Sequence, residues 1–139
     1  MAVTTRVLVA EDEPNIVESL SFILNRSGCD VTSVTDGEAA LNSIRADKPN
    51  VVILDVMLPK MNGFEVLKAV RSDETVKDIP IIILTAKGQS QDRRMAEEIG
   101  ANAFVTKPFS NQHLVIAHFG HPLFRKKMVK LHCSTHLPR

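Results

Sequence analysis

Five short apolar runs recur along the chain, and the gaps between them carry a more polar, helix-like pattern. The runs are Val7–Ala10, Val31–Val34, Val51–Leu54, Ile81–Leu84 and Ala103–Val105. The run Val51–Leu54 is apolar throughout, which is typical of a strand that is buried on both faces of a parallel sheet. The alternation of the five runs with helical segments predicts an α/β protein, a doubly wound parallel sheet with helices on both faces and right-handed crossovers.

Helix signals stand in the gaps between the runs. Pro14 suits the first position of the first helix, because its missing N–H would lack an intrahelical partner there in any case. Asp36 can cap the second helix, and Asn62 with Glu65 three residues later forms a capping-box pattern for the third. The fourth helix is predicted over 90–99. Because the second run leads directly into the Asp36 cap, we expect that run to be an edge strand.

Polar side chains that can do chemistry follow four of the five runs. They are Glu11, Asp12 and Glu13 after the first run, Asp55 after the third, Thr85 after the fourth, and Lys107 after the fifth. Ligands of doubly wound sheets bind at the carboxyl ends of the strands. We therefore expect one site that collects several carboxylates, a hydroxyl and an ammonium group.

These groups together point to phosphoryl chemistry. The carboxylates would repel one another, and a hard divalent cation such as Mg²⁺ would relieve that repulsion through oxygen ligands. Acids, Mg²⁺, a hydroxyl and a lysine can hold a phosphoryl group, and a carboxylate can accept it as an aspartyl-phosphate. Taken singly, each residue has an ordinary explanation: Asp55 could be a turn residue, and Glu11–Glu13 a solvated helix start. Their joint placement at the strand ends favours the phosphoryl site.

Four segments occur in a specific order and spacing: VLVAEDE, VVILDVMLPKMNGFEVL, IIILTA and FVTKPF. With them, the chain resembles the receiver domain of response regulators over about residues 5–112, the phosphoacceptor module of two-component signalling. The resemblance implies a flavodoxin-like, CheY-like sheet of five parallel strands in the order 2-1-3-4-5. It also implies a signalling phosphoacceptor rather than an enzyme, with Mg²⁺-dependent self-phosphorylation and slow autodephosphorylation.

The resemblance implies roles for the acids of the expected site. Asp55 would accept the phosphoryl group from a sensor histidine kinase or a phosphotransfer protein. Asp12 would bind Mg²⁺ directly, and Glu11 would act mostly through water. The backbone carbonyl of Met57, together with Asp55, would complete the protein ligands of the Mg²⁺ ion.

The resemblance also implies a switch. Thr85 would donate a hydrogen bond to a phosphoryl oxygen, and Lys107 would pair with the phosphate. Phosphorylation would draw Thr85 toward the phosphate and Phe104 inward, which changes the face formed by the fourth helix, fifth strand and fifth helix. The alternative for Phe104 is a plain core aromatic. Three more residues would have structural roles at the site: Pro59, Gly63 and Pro108.

The last part of the chain differs in composition from the rest. Residues 1–112 hold 12 basic and 16 acidic residues, whereas residues 113–139 hold 5 basic residues, no acidic residue and all 5 histidines. A fifth helix should begin near Ser110, but Gly120–Pro122 interrupts it. We therefore divide the chain into a receiver core, 1–112, and an atypical basic segment, 113–139. That segment is a short broken helix with a basic end, a partner- or nucleic-acid-binding extension, or a sequence foreign to the domain.

Composition and motifs exclude several classes of protein. The chain of 139 residues suits one domain, and no apolar run is long enough to span a bilayer. Its first residues lack the layout of a signal peptide, and two cysteines make no disulfide framework, so we expect a cytoplasmic protein. There is no Walker loop and no G-x-G-x-x-G motif.

Two other functions, a phosphatase and an interaction module, and two partners, a second copy of the chain and a nucleic acid, are alternatives or additions to this interpretation. A phosphatase of the haloacid-dehalogenase type needs D-x-D after the first strand, where this chain has Glu11–Glu13. An interaction module of the same fold that is never phosphorylated would not need the four residues Asp12, Asp55, Thr85 and Lys107. The resemblance implies a candidate homodimer through the face of the fourth helix, fifth strand and fifth helix. Nucleic-acid binding is not expected of this chain alone, because five basic charges support only weak, salt-sensitive contact.

Overall fold

The computed structural model of the protein describes residues 4–85 and 90–106. Within these ranges, strands and helices alternate as predicted. In chain order the elements are β1 (Arg6–Ala10), α1 (Pro14–Arg26), β2 (Asp30–Val34), α2 (Gly37–Asp47), β3 (Val51–Asp55), α3 (Gly63–Arg71), β4 (Ile81–Thr85), α4 (Ser90–Ile99) and β5 (Ala103–Thr106). Each apolar run of the sequence lies inside one of these strands, which confirms that the runs form strands.

The strands form one parallel sheet in the order β2-β1-β3-β4-β5. This order confirms the expected doubly wound α/β fold. The predicted edge strand, β2, lies at one end of the sheet and is exposed or half-buried along its length. Every residue of β3 and β4 is buried, because these strands have a neighbour on each side and helices on both faces.

The core lies in two layers, one on each face of the sheet. Because side chains alternate between the faces of a strand, Val9 packs in one layer with Leu20 of α1. The preceding residue, Leu8, packs in the other layer with Ile44 of α2 and Leu67 of α3. Each large side chain that is fully buried in these layers contributes about 1.5–3 kcal/mol to stability. The two layers hold the strands rigidly and fix where their carboxyl ends lie.

The predicted helix starts are confirmed. Pro14 is the first residue of α1. The side chain of Asp36 accepts a hydrogen bond from the backbone N–H of Ala39, 2.7 Å away. Asn62 and Glu65 form the reciprocal capping box at the start of α3, with both hydrogen bonds at 2.9 Å. These local bonds set the residues at which α2 and α3 begin, next to the carboxyl edge of the sheet.

Several predictions concern residues outside the described ranges. They are the interrupted fifth helix from Ser110 and the basic segment 113–139. Within 4–85 and 90–106, each helix is too short or too polar to cross a bilayer.

Candidate functional site

Three carboxylates meet at the carboxyl edge of the sheet. Glu11 and Asp12 directly follow β1, and Asp55 is the last residue of β3. The two strands are neighbours, with Ala10 paired to Leu54. One carboxylate oxygen from each of the three acids can be chosen so that all lie within 4.8 Å of one another. The sheet thus gathers acids that are 43 residues apart in the sequence (12 to 55).

The three acids differ in exposure. Glu11 and Asp55 are 1% and 3% exposed, whereas Asp12 is exposed to solvent. A buried carboxylate needs a positive charge, a metal ion or hydrogen-bond donors around it. Glu11 is held at this position by its backbone N–H, which donates to the carbonyl of Val34 at 3.0 Å, and its Oε2 accepts the N–H of Glu13 at 3.1 Å. These hydrogen bonds within the fold therefore fix the position of Glu11 in the cluster.

The donor set of this cluster fits a hard divalent cation. All three side chains offer carboxylate oxygens, and no softer ligand takes part in the group. Mg²⁺ prefers oxygen ligands and usually keeps several waters, and it needs only one or two carboxylates from a protein. An open cleft above the acids, lined also by Glu13, Pro14 and Met57, leaves room for such waters and for a substrate.

Asp55 is the last residue of the central, fully buried strand of the sheet. β3 is paired with β1 on one side and with β4 on the other, and all its residues are buried. The hydrogen-bond ladder continues one residue past Asp55, since Val56 N–H donates to the carbonyl of Leu84 at 3.2 Å. Met57 then turns out toward solvent and is 77% exposed. The backbone of Asp55 is thus held by the strands on both sides, while its carboxylate borders the open cleft.

Thr85 ends the neighbouring strand at the same edge. Asp55 is paired with Leu84, so Thr85 lies one residue beyond the partner of Asp55. The residue is 3% exposed. Its strand neighbour on the other side is Thr106, which directly precedes Lys107 in the chain. The strand order therefore brings the end of β5, where Lys107 follows, to the edge that carries the acids.

The loop from β3 to α3 passes close to the acid cluster and packs tightly. Gly63 N–H donates to the carbonyl of Val56 at 2.9 Å, and a Cβ on Gly63 would collide with the carbonyl oxygen of Asp55. The carbonyl of Pro59 accepts the N–H of Met61 at 2.7 Å, which makes a tight turn in the middle of the loop. Gly63 thus allows the start of α3 to lie against the end of β3.

The structure brings together most, though not all, of the predicted site residues in the part that it describes. The residues at the carboxyl edge of the sheet are Glu11, Asp12, Asp55, Met57, Pro59, Gly63 and Thr85. Lys107, Pro108 and the side chain of Phe104 lie outside what the structure describes. Sequence reasoning missed one residue, Gly37, which packs against the β3–α3 loop. Its signal in the sequence is a glycine directly after the predicted cap Asp36, where the helix begins.

Comparisons with known proteins agree with this geometry. A family model described as the response regulator receiver domain matches residues 7–118. The alkaline phosphatase synthesis transcriptional regulatory protein PhoP of Bacillus subtilis is 45% identical over 105 residues, which are 76% of this chain and 43% of that protein. The DNA-binding response regulator MtrA of Mycolicibacterium smegmatis is 41% identical over 110 residues, 79% of this chain and 47% of that protein. The chain spans less than half the length of these curated relatives.

Solved structures resemble the fold over most of the chain. The chemotaxis response regulator CheY4 of Vibrio cholerae has a TM-score of 0.76 and 28% identity, covering 93% of this chain and 99% of that chain. The receiver domain of the sensor histidine kinase PA1611 from Pseudomonas aeruginosa has a TM-score of 0.75 and 28% identity, covering 85% of this chain and 99% of that chain. That structure was solved with a magnesium ion coordinated in the active site cleft.

Proposed function

Since the chain belongs to the response regulator receiver domain family, we propose that Asp55 accepts a phosphoryl group from a histidine kinase or a phosphotransfer protein. The observation that carries this proposal is the meeting of Glu11, Asp12 and Asp55 within 4.8 Å at the end of a buried strand. A carboxylate oxygen of Asp55 forms a bond to phosphorus while the bond from phosphorus to the histidine nitrogen breaks. The electron pair of that bond stays on the departing imidazole nitrogen.

We propose that Asp12, Asp55, the Met57 carbonyl and, mostly through water, Glu11 hold Mg²⁺ at this site. When bound, the ion neutralises charge on the phosphoryl oxygens during transfer. The oxygen-only donor set and the open cleft support this assignment. The magnesium ion in the active site cleft of the similar PA1611 receiver supports it as well.

We propose that Thr85 and Lys107 bind the oxygens of the transferred group. Thr85 would donate its hydroxyl proton to one oxygen, and Lys107 would pair with the negative charge. Phe104 would then move as Thr85 moves, and the exposed face of α4 and β5 would change with it. The position of Thr85 at the end of β4, next to β3, supports its part in this switch.

The proposed role is that of a signalling module rather than an enzyme with a turnover substrate. PhoP is named a transcriptional regulatory protein and MtrA a DNA-binding response regulator, and the matched part is less than half of each. We propose no nucleic-acid binding for this chain alone, and we propose a homodimer that forms through the face of α4, β5 and the fifth helix. The kinase partner and this chain would meet in the cytoplasm.

The experiment is intact mass spectrometry after incubation with Mg²⁺ and phosphoramidate. We expect wild-type protein to gain one phosphoryl group, and we expect no gain for Asp55→Asn or after removal of Mg²⁺ with a chelator. Glu74→Gln changes an exposed acid between α3 and the start of β4, at the edge of the sheet opposite the site, and this control should gain the group like wild type. A folded wild-type protein that gains no mass would overturn the proposal and favour an interaction module.

A further inference from the structure

The start of α2 lies directly against the β3–α3 loop. Gly37, the first residue of α2, is buried, and its backbone N–H donates to the carbonyl of Pro59 at 3.2 Å. This N–H is one of the first in its helix and has no partner within the helix. The carbonyl of Pro59 in the loop therefore accepts a hydrogen bond from an otherwise unpaired N–H of α2, and this bond holds the middle of the loop against the helix.

Only glycine fits at this contact. A Cβ on Gly37 would overlap the carbonyl oxygen of Met61 and would lie 2.6 Å from its carbonyl carbon and 2.9 Å from its Cβ. The two nearest of these atoms belong to the backbone of Met61, so no rotation of a side chain could make room. The use of glycine at the first position of α2 is explained by this close packing.

The loop residues around the contact are constrained on several sides. Lys60 has a φ of 69°, in the left-handed region that a non-glycine residue seldom adopts. Its ammonium lies 3.9 Å from the carboxylate of Asp36, the cap of α2. Leu58 is 6% exposed and packs in the core layer that also holds α2 and α3. The start of α2 thus sets the path of the chain just after Asp55.

We propose that Gly37 is a positioning residue of the acceptor site, which holds the β3–α3 loop, and with it Met57, beside Asp55. The inference rests on the proposed function, since it concerns the same phosphoryl transfer. Gly37 acts through Pro59 and Met61 and does not itself touch the phosphoryl group. A methyl group at this position displaces the loop and misplaces the Met57 carbonyl relative to Asp55.

The test compares Gly37→Ala with Gly28→Ala. Gly28 has a φ of 90°, and a Cβ there would meet no atom within 4 Å. That control makes the same chemical change and carries backbone strain, but at the amino-terminal edge of the sheet, away from the acids. With phosphoramidate, we expect Gly37→Ala to gain the phosphoryl group about tenfold to a hundredfold more slowly than wild type, because small misplacements of reacting groups cost that much. Gly28→Ala should keep the wild-type rate.

Two readouts separate positioning from general destabilisation. The Mg²⁺ concentration that gives half the maximal rate should rise in Gly37→Ala and stay unchanged in Gly28→Ala. The double variant Gly37→Ala with Lys60→Gly lets the loop move away from the added methyl group. We expect it to recover the stability of Lys60→Gly alone while its phosphorylation stays slow. A double variant that is folded and as fast as Lys60→Gly would overturn the proposal.

Amide hydrogen exchange makes the test independent of phosphorylation. Without any phosphodonor, the N–H groups of Met61 and Gly63 should exchange at least about tenfold faster in Gly37→Ala, because local opening of the loop becomes easier. Amides of β3 should keep their protection. Wild-type protein that takes no phosphoryl group would count against the proposed function only. Unchanged exchange at Met61 and Gly63 in a folded Gly37→Ala protein would overturn the role of Gly37.

Discussion

The guanidinium of Arg71, in the last turn of α3, donates a hydrogen bond to the side-chain carbonyl oxygen of Asn102 at 2.9 Å. The same oxygen accepts the backbone N–H of Ile81, the first residue of β4, at 2.8 Å. Arg71 also donates to the carbonyl of Gly100 at 2.9 Å, just past the end of α4. One side chain therefore ties α3 to the start of β4 and to the turn between α4 and β5.

Replacing Arg71 should destabilise the fold. Arg71→Ala removes the hydrogen bonds that Arg71 donates to Asn102 and Gly100. It also removes two more, to the carbonyls of Lys77 and Ile79, each at 2.8 Å. We expect a loss of about 3 kcal/mol in the free energy of unfolding, measured in urea, because bonds to a charged donor are strong and the carbonyls lose their partner. Arg71→Lys should lose more than half as much, since one ammonium cannot replace the planar fork.

The control for Arg71 is Arg94→Ala, which removes an exposed arginine from α4. It should change the free energy of unfolding by less than about 0.5 kcal/mol. If both variants unfold at the same urea concentration, the bonds of Arg71 do not stabilise the turn.

Removing the cap of α3 should weaken the fold at the edge that carries the acids. Asn62→Ala deletes the side chain that accepts the N–H of Glu65 at 2.9 Å. We expect a loss of about 1 kcal/mol in the free energy of unfolding, the usual cost of an N-cap. Lys68→Ala, an exposed site in the same helix, should stay within about 0.5 kcal/mol of wild type. Equal urea midpoints for Asn62→Ala and wild type would refute the role of the capping box.

Mg²⁺ should stabilise the wild-type protein against unfolding. A ligand that binds only the folded state at ten times its Kd adds about 1.4 kcal/mol, and addition of a chelator should remove this gain. Asp12→Asn deletes one carboxylate of the cluster, so its gain at the same Mg²⁺ concentration should be smaller. Thermal unfolding with and without Mg²⁺ measures both values. Equal gains in the two proteins would contradict the assignment of Asp12 as a ligand.

Asp73 should make the free energy of unfolding depend on pH. Hydrogen bonds from the side chain and backbone of Thr75, and then from Arg45, lower the pKa of Asp73 below its usual value of 3.8. Because the folded state holds the ionised form, this stability is present above the unfolded pKa and is lost as the pH falls through the lower, folded pKa. Asp73→Asn should therefore lose less stability than wild type between about pH 5 and pH 2.

Urea unfolding at several pH values checks the prediction for Asp73. Thr75→Ser keeps the hydroxyl that donates to Asp73 at 2.7 Å, and it should keep the wild-type dependence on pH. A wild-type slope in Asp73→Asn would show that other acids carry the effect.

Local patterns in the sequence were enough to predict the elements and the place of the site. An apolar run marks a buried strand because strands such as β3 are buried along their whole length. Asp36 and Asn62 mark helix starts because their side chains bond to N–H groups only three residues away. The acids could be placed at one edge because parallel strands have all their carboxyl ends at the same edge.

Contacts between residues far apart in the sequence could not be predicted in the same way. The closeness of Asp12 to Asp55 was predicted only through the family resemblance, because it depends on the strand order that makes β1 and β3 neighbours. The fit of Gly37 against Met61 depends on how α2 and the β3–α3 loop pack, and the sequence shows there only a glycine in a helix. The bonds of Arg71 end on backbone carbonyls, which every residue has, so no residue type marks them. Short-range bonding and strand burial leave a signal in residue types, whereas backbone contacts across the fold exist only once the chain has packed.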